Sequence, residues 1–401
     1  MRSTSRERKA DQTLSSRAVG ALAIVAAVSV ANGYYIQPLL VDIGAAAGLS
    51  SGSVELLPAL TQIGLAIGLI VLLPLADTHS TRRVLLGVIP FQIAALVLIT
   101  VGDQGWQLMA GCLLIGVFGI TPYLLPPYAS QRVSAVKLGH VTGVLTRGVI
   151  AGILLARTVA GVTAVYLGWR SVYVIATVAM LAMLAVLMRL IKPQIPTSSI
   201  SYGVLLKSLI SLIRTKPALR TAALCQALSF GSFNVFWLGL SLYLQSPLFC
   251  WKPDAVGLVG ILGAVAAMCA PLFGRVADRI GAPRTRVAAL GTIVLAWIIL
   301  AAFRNSLVGL AVGLIVLDVG ATVVDVSNRT ILYTLAPEIR TRLNAVYTVA
   351  MFVGGGVMTI LLSIVWAWQG WLAVCLLGLV AVAVATSIAT VALWKIPLDA
   401  N

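Results

Sequence analysis

Apolar residues run along this chain in blocks of about twenty, broken by short polar or basic stretches. A helix needs about 20 apolar residues to cross a hydrocarbon core of ~30 Å, so the pattern predicts membrane-spanning helices. Twelve are predicted, numbered spans 1 to 12 in chain order: 18–41, 53–75, 83–102, 106–129, 140–166, 170–191, 219–245, 254–275, 284–303, 306–331, 343–366 and 371–394. Composition agrees, with 60% hydrophobic residues, 10% charged residues and a mean hydropathy of +1.03 over 401 residues, which excludes a soluble globular protein.

Charge changes the picture mainly through its placement. A net charge of +16 would suggest nucleic acid in a soluble protein. Here 22 of the 28 basic residues fall on the side of the predicted termini, three (Arg170, Lys252, Arg304) on the opposite side, and three (Arg147, Arg157, Arg329) inside spans. The positive-inside rule then puts both termini in the cytoplasm of a multi-pass protein of a bacterial inner membrane. The expected partner is the lipid bilayer, with no nucleic acid. The basic start followed by Ala18–Val30 has the look of a signal peptide, but the apolar run continues to Leu40, so an uncleaved first helix is expected.

The five cysteines show no C-x-x-C spacing, and the two histidines, His79 and His140, map to the cytoplasmic edge, so neither a disulfide framework nor a metal site is expected. No nucleophile–base pair or phosphate loop stands out, and the expectation is a non-enzyme without cofactors.

Three short patterns recur in register. Asn32-Gly33-Tyr34-Tyr35 in span 1 matches Asn234-Val235-Phe236-Trp237 in span 7, Ala76-Asp77 matches Ala277-Asp278, and Gly168-Trp169 matches Gly370-Trp371. Together they indicate a duplicated six-helix unit. The organisation read from this is a cytoplasmic tail (1–17), a six-helix bundle (18–191), a cytoplasmic linker (192–218), a second bundle (219–394) and a tail (395–401). Within the linker, Leu205, Leu206, Leu209, Ile210 and Ile213 fall near one helical face, which suits either a helix on the inner membrane surface or a partly ordered connection.

Six plus six helices with a long cytoplasmic joint resemble the major facilitator superfamily, whose two halves are parallel repeats around a midplane substrate site. The span 2–3 loop, Pro74-Leu75-Ala76-Asp77-Thr78-His79-Ser80-Thr81-Arg82-Arg83, is similar to that family's G-x-L-A-D-R-x-G-R-R signature, with Thr78 and Ser80 departing from it. The copy Gly274-Arg275-Val276-Ala277-Asp278-Arg279-Ile280-Gly281 is closer. The resemblance implies a cytoplasmic latch, which makes Asp77, Arg82, Arg83, Asp278 and Arg279 gating candidates; ordinary loop charges are the plainer alternative. Span 5 is similar to the antiporter signature, although Ile153 stands where that pattern has proline. Tyr34–Leu40, Gly152–Arg157, Gly168-Trp169-Arg170 and Arg342–Tyr347 resemble one bacterial branch of efflux-type, drug:proton antiporter-like members.

In that fold spans 1, 7 and 10 line the central cavity. Asn32, Tyr34, Tyr35, Asn234, Phe236 and Trp237 are therefore substrate-binding candidates, with helix–helix hydrogen bonding and aromatic packing as the alternative. Pro122, Pro126 and Pro127 are expected to kink or break span 4. Arg157 falls in the outer half of span 5 and is open to three roles: snorkelling outward, pairing with an acid, or holding an anionic substrate. Asp42, Glu55, Asp103 and Asp254 map to the outer edge. Only Asp318 and Asp325 lie well inside a span, where each charge costs about 3 kcal/mol on insertion scales. Asp325 stands four residues before Arg329, the favourable helical pairing, so the two are read as a self-neutralising pair and gating candidates. Asp318, near mid-depth with no local partner, is the proton-coupling candidate.

The expectation is thus a monomeric secondary transporter that moves a small organic solute by alternating access, as proton-coupled efflux. An importer or facilitator, or a receptor of the same fold without flux, are the alternatives.

Overall fold

The computed structural model describes residues 14–49, 51–133, 135–192, 202–263, 280–335 and 339–394, and among them every regular element is helical. In a bilayer each backbone N–H and C=O has to find its partner within its own segment, which leaves the helix as the form these apolar runs adopt. Span 1 is capped by Ser15, whose hydroxyl accepts from Ala18 N at 3.2 Å, and runs as Ser16–Ala31 and then Ile36–Ala46. Spans 2 and 3 are Ser51–Val71 and Thr81–Val101. Span 4 is Gly105–Phe118 followed by Thr121–Ser130; it breaks just ahead of Pro122, and Pro126 and Pro127 sit inside its second piece. Spans 5, 6 and 7 are Ala135–Leu167, Trp169–Leu190 and Pro217–Gln245. Span 8 is described from Pro253 to Gly263, and spans 9 and 10 are Ala282–Ala302 and Leu307–Tyr333.

Spans 11 and 12 form one run, Arg340–Trp394, interrupted only at Gln369 and Gly370. Its 55 residues would reach ~80 Å as a straight helix, well over twice a hydrocarbon core, so it crosses twice. Gly370 has φ 55° and Gly168, at the corresponding turn between spans 5 and 6, has φ 82°. Each reverses the chain in the left-handed region that glycine reaches without strain, and each is followed by a buried tryptophan, Trp169 or Trp371. The repeated Gly-Trp pair is thus a repeated turn.

Small residues set the helix spacing. A Cβ added to Gly148 or Gly152 of span 5 would run into the backbone of Ala23 or Ala27 of span 1, and Gly354 of span 11 approaches Ala227 of span 7 in the same way. Ile24, Phe91, Val178, Leu295 and Val380 point outward as the lipid-facing surface.

Leu14 N bonds to Arg132 O (3.1 Å) and Tyr202 Oη to Val71 O (2.8 Å), which marks a near side carrying the start of span 1. The Arg170–Asp103 pair (2.6 Å) marks the far side. Links between the two sets of spans lie at mid-depth and beyond it toward the far side. Ser241 of span 7 donates to Gln37 O of span 1 (2.9 Å), Gln62 of span 2 to Asn234 of span 7 (3.3 Å), and Thr158 of span 5 to Gly257 O of span 8 (2.9 Å). Toward the near side a cavity of about 150 Å³ opens between spans 2, 4 and 11, lined by Leu73, Tyr123, Gln131, Arg342, Asn344 and Thr348 among others. The hydrogen bonds between the two sets of spans thus lie at mid-depth and toward the far side, and this cavity lies on the near side of them. The linker contains a helix, Tyr202–Thr215, whose Leu212 is buried while Val204, Ile210 and Ile213 are exposed.

Two placements differ from the sequence reading. Arg286, counted among the cytoplasmic loop charges, is 3% exposed inside the second bundle, where Nη1 donates to Asn328 Oδ1 at 3.4 Å. Its position in the first turns of span 9 turns it inward. Glu55, read as an outer-edge acid, lies at the far end of span 2 but is buried there (3% exposed), beside a cavity that spans 1, 7 and 11 also line.

Candidate functional site

The site begins with a defect in span 1. At Asn32-Gly33-Tyr34-Tyr35 the helix gives way to tighter i→i−3 bonds, Gly33 N to Val30 O (3.2 Å) and Tyr34 N to Ala31 O (2.9 Å). Irregular backbone is tolerated at this depth only where it is buried in protein or lines a cavity. Tyr34, buried, faces Arg157 of span 5, whose guanidinium carbon lies 5.4 Å from its ring centroid. Arg157 is 3% exposed and is held by Gln37 of span 1, which accepts from Nε at 2.6 Å. Its two terminal nitrogens are buried with no hydrogen-bond partner.

Trp237 of span 7 joins this group to the acid. The Arg157 guanidinium stacks over the indole at 4.2 Å, and the indole N–H donates to Asp318 Oδ1 of span 10 at 3.3 Å. Asp318 is 6% exposed, and its backbone carbonyl accepts from Thr322. Arg157 and Asp318 make no direct ion pair; the ion pairs among the described residues are Arg170–Asp103 and Arg329–Asp325. An arginine and an acid thus share one indole, an arrangement in which a cation–π contact is worth up to ~2 kcal/mol when desolvated. Span 8 closes the back of the group. A Cβ on Gly263 would lie 2.8 Å from Asp318 Oδ2 and 3.1 Å from Trp237 Cζ2, so a side chain there would press on the acid and the indole.

The other substrate-binding candidates are distributed differently. Asn234 accepts from Gln62 Nε2 at 3.3 Å and donates to Phe230 O at 2.9 Å. Asn32, 2% exposed, has both side-chain polar atoms buried without a partner. The two asparagines of the repeated pattern therefore do not meet. Tyr34, with Gln62, Gln92, Tyr123 and Phe352, lines a small central cavity of about 30 Å³, and Tyr123 also lines the larger near-side cavity. Tyr35 is half-buried against Val30 and Ala156. Phe236 touches the group only through Trp237, whose ring centroid lies 5.6 Å from its own, and otherwise packs edge-on against Trp297 and Trp371 in the core of the second bundle. Successive residues on a helix point about 100° apart, so Phe236 and Trp237 cannot both face the centre.

Among the gating candidates, Asp325 and Arg329 form an ion pair of 2.9 Å, each side chain about one-third exposed. Tyr347 donates to Asp325 at 2.7 Å and Arg329 to Asn344 Oδ1 at 2.5 Å, so the pair ties span 10 to span 11 on the near side. Arg82 is half-buried and Arg83 exposed at the start of span 3. Asp278 and Arg279 lie outside the described residues, as does the side chain of Asp77.

Sequence reasoning missed Gln37, Gln62 and Gln226. Neutral amides inside apolar runs carry no charge signal, yet each bonds across spans: Gln37 to Arg157, Gln62 to Asn234, and Gln226 to Asn328 at 3.3 Å. Their appearance inside apolar blocks was the one available clue.

The family model of the Major Facilitator Superfamily matches residues 22–249 and 222–400. A putative uncharacterized transporter of Escherichia coli, YgaY, is 33% identical over 371 residues, which covers 92% of this chain and 94% of that protein. A probable transporter of Streptomyces coelicolor is 28% identical, covering 88% and 82%. Among solved structures, the nucleoside transporter NupG superposes with a TM-score of 0.75 at 12% identity, covering 95% of this chain and 100% of that one. A bacterial homolog of the human lysosomal transporter Spinster does so with a TM-score of 0.74 at 14% identity, covering 95% and 97%. These two likenesses speak for the fold.

Proposed function

Because the chain belongs to the Major Facilitator Superfamily, we propose that it carries a small organic solute across a bacterial inner membrane by alternating access, exporting it in exchange for protons. The observation that carries this reading is the Arg157–Trp237–Asp318 group at the junction of the two bundles, in which a carboxylate has one indole N–H and no cation bonded to it. A carboxylate removed from water takes either a proton or a cation. Protonated, Asp318 releases its hold on the site; ionised, it draws on Arg157 across the indole. A solute competing for Arg157 or Trp237 is thereby coupled to the proton on Asp318. Outward direction rests on the efflux-type resemblance of segments such as Tyr34–Leu40, and the basic near side supports a cytoplasmic orientation of the cavity. Twelve spans in one chain enclose their own cavity, and the working unit is a monomer. No step requires enzyme chemistry or a cofactor.

Import or facilitation is the second reading. It is favoured by the two buried, unpartnered terminal nitrogens of Arg157, which fit a substrate carboxylate better than a proton pathway.

An untargeted metabolite and toxicant screen of cells lacking and overproducing the chain gives the solute and the direction. With that solute, wild type and Asp318→Asn are compared in vesicles under an imposed pH gradient, at equal membrane abundance. Loss of gradient-driven flux is expected in the variant; undiminished flux refutes the proton role, and binding without any flux would favour a receptor.

A further inference from the structure

Beyond the Arg157 group, toward the far side, a second cavity of about 350 Å³ lies between the two bundles. Leu40 and Val54 form its wall on the first bundle, and Leu242, Gln245 and Trp366 on the second. Glu55 of span 2 lines it, 3% exposed, with Oε2 buried and bonded to nothing. The charged residues on the elements packed around it are elsewhere. Asp42 on span 1 is half-buried outside the lining, Asp103 ahead of span 4 is paired with Arg170 at 2.6 Å, and Lys252 and Asp254 follow span 7 without reaching the cavity. The described far end of span 11 carries no charged residue. Among the described residues, Glu55 is thus the one ionisable group lining a largely apolar seam that must part whenever the far side opens.

Burying an ionised carboxylate without a partner is strongly disfavoured, whereas the same group in water ionises freely. We infer that Glu55 is a proton-binding site on the far face, and that its protonation licenses closure of that face. With the far side open, Glu55 is hydrated and gives up its proton to the aqueous phase. Taking one back removes the charge, and the walls at Leu40, Val54, Leu242 and Trp366 can draw together around it to the cavity seen here. The site is separate from Asp318: it controls one gate, and it acts whether or not Asp318 carries the transported proton.

The test uses the full chain in lipid nanodiscs with Cys250, which is exposed, replaced by Ser. Spin labels are placed at the exposed far-side positions Leu167→Cys and Val308→Cys, one on each bundle. Distances are recorded from pH 5 to pH 8 in an Asp318→Asn background, so that no response comes from the central acid. Linkage through one proton changes the closed-to-open ratio by up to about tenfold per pH unit. The closed distance is therefore expected to gain population on acidification, and Glu55→Asp should keep the response. Glu55→Gln and Glu55→Met, two neutral variants of different polarity, should hold the closed distance at every pH. A pH response that survives in both neutral variants overturns the inference, as does its absence from the parent chain. Closure driven by an ammonium salt at fixed pH but not by acid also overturns it, since that would make Glu55 a site for organic cations.

Discussion

Gly257→Ala is the sharpest perturbation of the far-side closure. A Cβ at Gly257 would stand 2.6 Å from the Arg157 carbonyl oxygen and 3.2 Å from both Arg157 C and Thr158 Cα. Carbon–oxygen contacts between packed helices are ordinarily about 3.3–3.6 Å, so spans 5 and 8 must part by roughly 0.7–1 Å at this point. The neighbours are backbone and cannot swing away. Overpacking of this kind costs about 1–3 kcal/mol, and separation also stretches the Thr158–Gly257 bond of 2.9 Å. Spans 5 and 8 belong to different bundles, so the cost falls on the far-closed state and is relieved when the bundles rock apart. A differential of that size raises the far-open to far-closed ratio about 5- to 150-fold. Distance measurements between labels on the two bundles read the ratio directly. Gly152→Ala is the control: its Cβ meets Ala27 of the same bundle, so it should lower stability while leaving the ratio alone. An unchanged distance distribution in Gly257→Ala, or an equal shift in Gly152→Ala, refutes the reasoning.

Two further perturbations address side chains. Trp237→Phe keeps a ring beneath Arg157 but removes the N–H that reaches Asp318; a double-mutant cycle with Asp318→Ala, read by SDS-titrated unfolding, should show a coupling of about 1–2 kcal/mol, and a coupling near zero would mean the bond is not made. Asp325→Ala leaves Arg329 without its acid and frees Tyr347. With both side chains about one-third exposed the destabilisation should be about 1–3 kcal/mol, less than for a fully buried pair, and a thermal midpoint equal to wild type would show that the pair does not hold span 10 to span 11.

Hydrophobic block length by itself determined the class of fold, because a bilayer admits few solutions for a run of twenty apolar residues. The repeated Gly-Trp pair located two equivalent turns, since a reversal between spans needs a residue tolerant of positive φ, and Gly168 and Gly370 both have it. Expense located Asp318 and Arg157: charged groups inside spans are rare enough to stand out singly. Tertiary structure decided everything that depends on which way a helix faces. Trp237 turns to the centre while Phe236, one residue before it, packs against Trp297 and Trp371. The Asn32 and Asn234 amides, matched in sequence, have unlike surroundings. Glu55 and Arg286 sit near span ends, where sequence places solvated charge, yet both are buried. Depth follows from counting residues along one helix; burial and partnership follow from rotation and from helices hundreds of residues away, which a count along the chain does not contain.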